Sequence, residues 1–556
     1  MRRSSVLIRM LPVLLGLLSS YFLHADAVTL LAGREPLLAN SAVYTLSPPD
    51  SATLQRLRDW AESLQRGPLV QNGTVALSVR RVSDGLCVFG QNEFRSLPTA
   101  STLKLVSTGT ALATLGSTFT YTTYLEYDGA IKDSVLTGNL YLRGTGDPSL
   151  ASGRFAGYPA WVAFLRDVSS RVRQAGIRRI DGAIIGDASF FDGQPTPDTW
   201  PFGDLGNYYG AGLFGLNFNE NLYRVVFKPG TAAGAPAPVL RTDPALPYLS
   251  LNNRVSTGPV GSGDEVNIYG VPFQNTATLE GTVPPNPSGA VPEFAVKGAM
   301  PDPAYFVAYA LTEQFRRDSI RVSGTPASYR LGTLPVELLA ANTAPQPVST
   351  PVAYTPGPFV SAAGSTSATS TVRTEVYRYT SPPLSDLARE TNFQSINLYA
   401  EALLRSAARQ IKQRSTTWPE SVSAITGYWQ AKGVHLDGFR PRDGSGLSTV
   451  GAMTADNMTS FLMAMTREGT YPAFYASIPV VGQSGTVRGL AKGTKAAGNV
   501  RAKSGTIEGV RAYAGYFTAK DGSLMSFSLM INKYQEGKYA ALTPQIERLF
   551  VLLTGL

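Results

Sequence analysis

Ser101 and Lys104 stand three residues apart at the start of an apolar run, Ala100-Ser101-Thr102-Leu103-Lys104-Leu105-Val106. On a helix, residues i and i+3 share a face, so the amine can reach the hydroxyl. Such a pair can carry out acyl transfer. Serine is a weak nucleophile until a base takes its proton, and lysine supplies that base once its pKa is lowered. Among the lysines of the chain, Lys104 alone has a serine three positions before it. A serine N-cap with a solvated lysine in the first turn would account for the same spacing, so the rest of the chain has to decide.

Histidine is scarce. His24 lies in the leader described below, which leaves His435 in a loop-like Gly433-Val434-His435-Leu436-Asp437-Gly438 stretch. A Ser-His-Asp triad would have to use it, so the base of a hydrolase here is not expected to be histidine. With a single cysteine, Cys87, and no HExxH pattern, no zinc site of ordinary composition is expected, and no metal or other cofactor is called for. Cys87 cannot form an intramolecular disulfide and is expected to be a small buried apolar residue.

The elements that must position these residues read as follows. Arg2, Arg3 and Arg9 precede an apolar run from Met10 to Leu23 and then Ala25-Asp26-Ala27, the layout of a secretory signal (residues 1–27) rather than of a membrane span. Cleavage near Ala27 would export the chain to the periplasm or the envelope exterior. Of the formal charge of +9, three arginines and one aspartate leave with the signal, so the mature chain is nearer +7. No basic cluster interleaved with aromatics points to nucleic acid. A helix is expected from Asp50 to Gln65, a hairpin over Thr74–Val82 and Leu86–Phe89, and a helix from Ser101 to Gly116 buried on nearly all sides. Helix-then-strand pieces follow at Pro159–Gly186 and Pro303–Val322. Between them, Tyr223 to Pro292 has short strand-like runs and many prolines and glycines. Residues 343–371, rich in Pro, Ser, Thr and Ala, read as a loop or linker. Order returns with helices near Ser385 and from Leu398 to Ile411. A strand is expected from Arg501 through Phe517, another from Leu524 to Asn532, and a helix from Thr543-Pro544. That last helix is too short to span a bilayer, and at most peripheral membrane contact is expected.

Two further short patterns follow the first in order: Ser395-Ile396-Asn397 and Lys503-Ser504-Gly505. Ser-x-Asn also occurs at Ser250-Leu251-Asn252, where a turn is expected. Lys-Ser/Thr-Gly occurs at Lys503 alone. The triplet resembles the active-site set of the penicillin-binding proteins and serine β-lactamases. The wider context is similar to the D-alanyl-D-alanine carboxypeptidases/endopeptidases of low molecular mass with a large insertion after the first motif. It includes Pro98-Thr99-Ala100, Asn139-Leu140-Tyr141-Leu142-Arg143-Gly144, Gly186-Asp187-Ala188-Ser189 and Ser381-Pro382-Pro383-Leu384-Ser385. It continues through Asn397-Leu398-Tyr399-Ala400-Glu401, Asp443-Gly444-Ser445-Gly446-Leu447-Ser448 and Gly485-Thr486. The separation of 291 positions from Lys104 to Ser395 fits that subgroup better than β-lactamases, which lack such an insert. Two positions depart from the pattern: Ile396 stands where the subgroup usually has Asp or Asn, and Ser504 stands for Thr.

The resemblance implies an α/β (α+β) fold: a β-lactamase/transpeptidase-like domain, an antiparallel sheet flanked by helices, formed by residues 28–121 and 372–556. It further implies an inserted α/β domain (122–222 and 293–342) carrying a nested β-rich domain (223–292). Ser101 would attack the carbonyl between two D-alanines of a peptidoglycan peptide with Lys104 as base, its pKa depressed by Lys503 and the helix N-terminus. Ser395 would relay the proton, Asn397 would hold the substrate amide, and Lys503 with the Ser504 and Thr506 hydroxyls would bind the terminal carboxylate. Backbone N–H groups of Ser101 and Thr506 would form the oxyanion hole, and β-lactams would be covalent inhibitors. A serine β-lactamase and a catalytically weak cell-wall-binding homologue are the alternatives. Ser445 reads as a nucleophile or as part of a tight turn. Glu401 could act on water or cap a loop, Arg488 and Arg501 could assist carboxylate binding or lie on the surface, and the oligomeric state is left open.

Overall fold

The computed structural model describes residues 51–286, 293–330 and 372–556. The expected signal sequence (1–27) and the expected 343–371 loop or linker lie outside the described residues. A five-stranded antiparallel sheet runs in the order Arg501–Ile507, Val510–Thr518, Leu524–Asn532, Thr74–Arg81, Cys87–Gln91. Side chains alternate across a strand, so each strand feeds two cores. On one face Val75, Leu77, Val79, Tyr513, Leu529 and Ile531 meet Leu57, Trp60 and Leu64 of the helix Ser51–Arg66 and Ile546, Leu549 and Phe550 of the helix Tyr539–Leu553. On the other, Ala76, Ala512, Ala514 and Met530 meet Leu105, Val106 and Leu112 of the helix that follows Ser101.

That helix, Lys104–Leu115, is buried from Lys104 through Leu112 and ends where Gly116 turns at φ +87°. Its Gly109 lies so close to the helix Ala455–Met465 that a Cβ would stand 2.7 Å from Phe461 Cζ. The burial expected from its all-round apolar sequence is therefore present.

The insertion builds a second sheet of mixed direction, ordered Ala327–Tyr329, Ile184–Asp187, Leu140–Arg143, Thr122–Tyr127, Thr374–Thr380. Leu140–Arg143 and Ile184–Asp187 pair in parallel, with the helix Trp161–Gln174 in the crossover between them. The returning strand Thr374–Thr380 pairs with Thr122–Tyr127, although the sequence groups residues 372–556 with the first segment. Two three-stranded sheets lie within 222–299: Val239–Asp243, Leu222–Phe227, Phe294–Ala299, and Ser250–Thr257, Thr276–Val283, Glu265–Tyr269.

Several local expectations are corrected. The strand expected from Arg501 to Phe517 is a hairpin, broken at Glu508-Gly509 where Gly509 adopts φ +69°. The C-terminal helix starts at Tyr539 and carries Pro544 inside it. Ser250-Leu251-Asn252 opens a strand, not a turn. Cys87 is exposed rather than buried, because it begins the edge strand of its sheet. Among the described residues no helix is long and apolar enough to cross a membrane.

Candidate active site

Ser101 sits on a 3-10 turn, Ala100–Leu103, that runs directly into the helix beginning at Lys104. The fully buried Lys104 side chain reaches back: its Nζ lies 2.8 Å from Ser101 Oγ, 2.6 Å from Asn397 Oδ1 and 3.0 Å from the Ser445 carbonyl. Asn397 donates its side-chain N–H to the Tyr209 backbone carbonyl at 2.7 Å, which fixes the amide with its oxygen toward Lys104. Asn397 Oδ1 and the Ser445 carbonyl can only accept. A neutral amine therefore donates to those two and turns its lone pair to the third neighbour, the Ser101 hydroxyl.

Burial lowers the Lys104 pKa to about 7, while the Glu401 and Asp443 charges pull it upward. Burial thus does what the sequence reading assigned to Lys503 and the helix N-terminus. Lys503 is equally buried; its pKa is well below the ordinary value, first through burial and then through the Lys104 charge. Its Nζ donates to Ser395 Oγ at 2.9 Å and to the Ser504 carbonyl at 2.6 Å.

The second motif is the joint between two helices. Ser395, in the left-handed region at φ 60°, ends Leu384–Gln394, and Asn397 opens Asn397–Lys412. Ile396 packs on the apolar core and lines the cleft, so the departure puts an aliphatic wall where a polar side chain was expected. The third motif needs its glycine: a Cβ on Gly505 would lie 2.8 Å from the Thr99 carbonyl and 2.9 Å from Ser101 N. This contact brings the strand edge against the turn that carries Ser101. Ser504 Oγ shares a hydrogen bond of 2.7 Å with Thr486 Oγ1, and the Thr506 hydroxyl accepts from the Arg511 guanidinium.

A cleft of about 770 Å3 opens over these groups, lined by Ser101, Ser395, Asn397 and Thr506 on one side and by Asp204 and Tyr209 of the insertion on the other. The insertion is pinned there by Trp200 Nε1 donating to Asp443 Oδ2 at 2.8 Å, by Tyr399 donating to Glu220 Oε1 at 2.9 Å and by Arg405 paired with Asp192 at 2.6 Å. Tyr209 and Trp200 were missed by the sequence reading. They lie in a stretch dense in glycine and proline where no periodicity marks them.

The open alternatives divide. Ser445 is buried in a tight loop, with Gly446 at φ +77° packed on the Ala100 carbonyl. Glu401 is buried, not solvated, and accepts from Gly444 N at 2.6 Å and Ser445 N at 2.8 Å. Arg501 donates to the Ile478 carbonyl at 3.0 Å and stacks on Tyr475, while the exposed Arg488 donates to the Gly485 carbonyl at 3.3 Å.

The chain belongs to the D-Ala-D-Ala carboxypeptidase 3 (S13) family, whose profile it matches over residues 57–345 and 359–549. A D-alanyl-D-alanine carboxypeptidase of an Actinomadura species is 25% identical over 508 residues, covering 89% of this chain and 85% of that protein. The D-alanyl-D-alanine carboxypeptidase DacB of Haemophilus influenzae is 23% identical over 476 residues, covering 84% and 87%. The crystal structure of penicillin binding protein 4 (dacB) from the same organism superposes with a TM-score of 0.69 at 20% identity, over 89% of this chain and 99% of that one. The fold is therefore the β-lactamase/transpeptidase-like α/β fold that the resemblance implied.

Proposed function

We propose that the chain is a serine D-Ala-D-Ala carboxypeptidase that also acts as a D,D-endopeptidase on peptidoglycan stem peptides, with β-lactams as covalent inhibitors. The observation that carries this reading is the hydrogen-bond set of Lys104: two fixed acceptors leave its lone pair to the Ser101 hydroxyl. Ser101 Oγ attacks the carbonyl between the D-alanines as its proton passes to Lys104. The Ser101 and Thr506 backbone N–H groups receive the oxyanion; one such donor is typically worth about 3 kcal/mol. Ser395 returns a proton to the leaving amine, the C–N bond breaks, and water then hydrolyses the ester. Asn397, whose amide has one N–H beyond that given to Tyr209, holds the substrate amide.

Lys503, Ser504 and Thr506 take the terminal carboxylate. An arriving carboxylate favours the charged form of Lys503, and that charge in turn disfavours protonation of Lys104. Substrate binding thereby readies the base. Export after cleavage near Ala27 belongs to the same reading, supported by residues 1–27 and by a substrate class found outside the cytoplasm. So does a division into catalytic and inserted parts, supported by separate cores on the two main sheets, with the nested strands sharing the core of the insertion. Family membership favours this reading over a serine β-lactamase.

The test is release of D-alanine from an acylated peptide ending in D-Ala-D-Ala by the mature protein and by Ser101→Ala. Release by the first alone is expected. Equal release by both, or none by either under conditions where the protein is folded, would overturn the reading.

A further inference from the structure

Every backbone N–H from Gly444 to Ser448 is held by a side chain of one buried cluster. Glu401 takes Gly444 and Ser445 at 2.6 and 2.8 Å. Asp443 takes Gly446 at 3.0 Å and Ser448 at 2.7 Å. Ser445 Oγ takes Leu447 at 3.3 Å. The carbonyls are fixed as well: Ser107 Oγ donates to that of Gly444 at 2.6 Å, and Lys104 donates to that of Ser445 at 3.0 Å. Both acid side chains are buried, and they face Lys104 from two elements, the helix Asn397–Lys412 and the loop. Lys503 faces it from the sheet edge. Burial first, and then the Asp443 charge, push the Glu401 pKa up to about 8 against the pull of its two N–H donors and of Lys104, so near neutral pH Glu401 is only partly ionised. Two acids around one amine are more than a loop brace requires, since neutral amides would serve for four N–H groups at far smaller desolvation cost.

We propose that Glu401 and Asp443 are positioning residues for Lys104: they clamp the 443–448 loop so that the Ser445 carbonyl meets the amine and its lone pair is left to Ser101. The inference rests on the Ser101–Lys104 reading given above. The Asp443 charge, and Glu401 to the extent that it is ionised, make Lys104 a stronger base and stabilise the ammonium it becomes when Ser101 attacks. Burial alone would leave a neutral but weak base. The Trp200 donor to Asp443 carries the same adjustment to the insertion, so the docked insertion helps to hold the group that sets the base.

The experiment is the pH profile of β-lactam acylation rate for the wild type, Glu401→Gln, Asp443→Asn and Ser107→Ala. Loss of the Asp443 charge is expected to move the acid limb down by about one pH unit or more, and Glu401→Gln to move it down by less, because Glu401 is only partly ionised where the limb lies. The plateau is expected to fall at least tenfold, because the base is weaker. Ser107→Ala disturbs the same loop without changing charge and is expected to lower the rate with the limb unmoved. The limb is read from the rate constant of the fraction that labels, so partial misfolding of one variant leaves its midpoint readable, and the other variant repeats the test. Limbs at the wild-type position or above it in both charge variants would overturn the proposal, as would complete loss of labelling in both. Absence of labelling in the wild type, or labelling of Ser101→Ala, would instead sink the Ser101–Lys104 reading itself.

Discussion

Asn397 and Tyr209 are joined by a 2.7 Å hydrogen bond from the Asn397 side-chain amide to the Tyr209 backbone carbonyl, across the line where the insertion meets the catalytic sheet and helices. Because the same amide accepts from Lys104 at 2.6 Å, the insertion fixes which way the base points. Asn397→Ala is expected to slow acylation roughly ten- to a hundredfold, since Lys104 becomes an ammonium as it takes the Ser101 proton and a hydrogen bond to a charged group contributes about 1.5–3 kcal/mol. Stopped-flow acylation rates, with circular dichroism to confirm folding, check this.

In the proposed mechanism the neutral amine is the active form of Lys104, and it exists above the group's pKa. With that pKa lowered to about 7, the acylation rate is expected to rise about tenfold per pH unit below neutrality and to level off above pH 8. An ordinary solvated lysine would instead place the rise near pH 10. A profile with no inflection between pH 6 and 8 would remove Lys104 as the base.

Gly505→Ala drives a Cβ into the Thr99 carbonyl and Ser101 N. Backbone lies on that side, so the strand edge has to retreat from the nucleophile turn. A displacement near 1 Å at a reacting group costs about a hundredfold in rate. Acylation slowed to that degree is expected, with thermal stability lowered much less; an unchanged rate would contradict the packing.

Asp147 carries the largest stability prediction. It is buried, accepts from Ser149 N at 2.8 Å and from Ser149 Oγ at 2.7 Å through one oxygen, and has no hydrogen-bond partner on the other. Burial raises its pKa to about 6, above its unfolded value, so the fold favours the protonated form. Ionising it above pH 6 therefore costs stability, and that cost disappears as pH falls toward 4. Asp147→Asn is expected to raise the melting temperature at pH 7.5, by an amount equivalent to about 1 kcal/mol or more, and to lose that gain at pH 4. Differential scanning calorimetry at the two pH values measures it; destabilisation at pH 7.5 would contradict the sign.

What the sequence disclosed and what it hid follow from distance along the chain. Ser101 and Lys104 are three residues apart on one helix, so their contact is local and readable. The hairpin ending at Asn532 and the apolar faces of the terminal helices follow from period alone. The Glu508-Gly509 turn was overrun because alternation continues on both sides of it. Glu401 at the Gly444 and Ser445 amides, and Trp200 at Asp443, join residues tens to hundreds of positions apart. Only the folded chain shows that these acids lie buried beside an amine and pull its pKa upward against the burial that lowers it. Cys87 shows the converse: residue type suggested burial, and its place on an edge strand decided otherwise.

The most direct test is to incubate the mature protein and Ser101→Ala with a β-lactam, then locate any adduct by intact mass and peptide mapping. One acyl group on the peptide carrying Ser101, absent from Ser101→Ala, is the expected result. Equal labelling of both proteins, or an adduct on another serine such as Ser445, would contradict it.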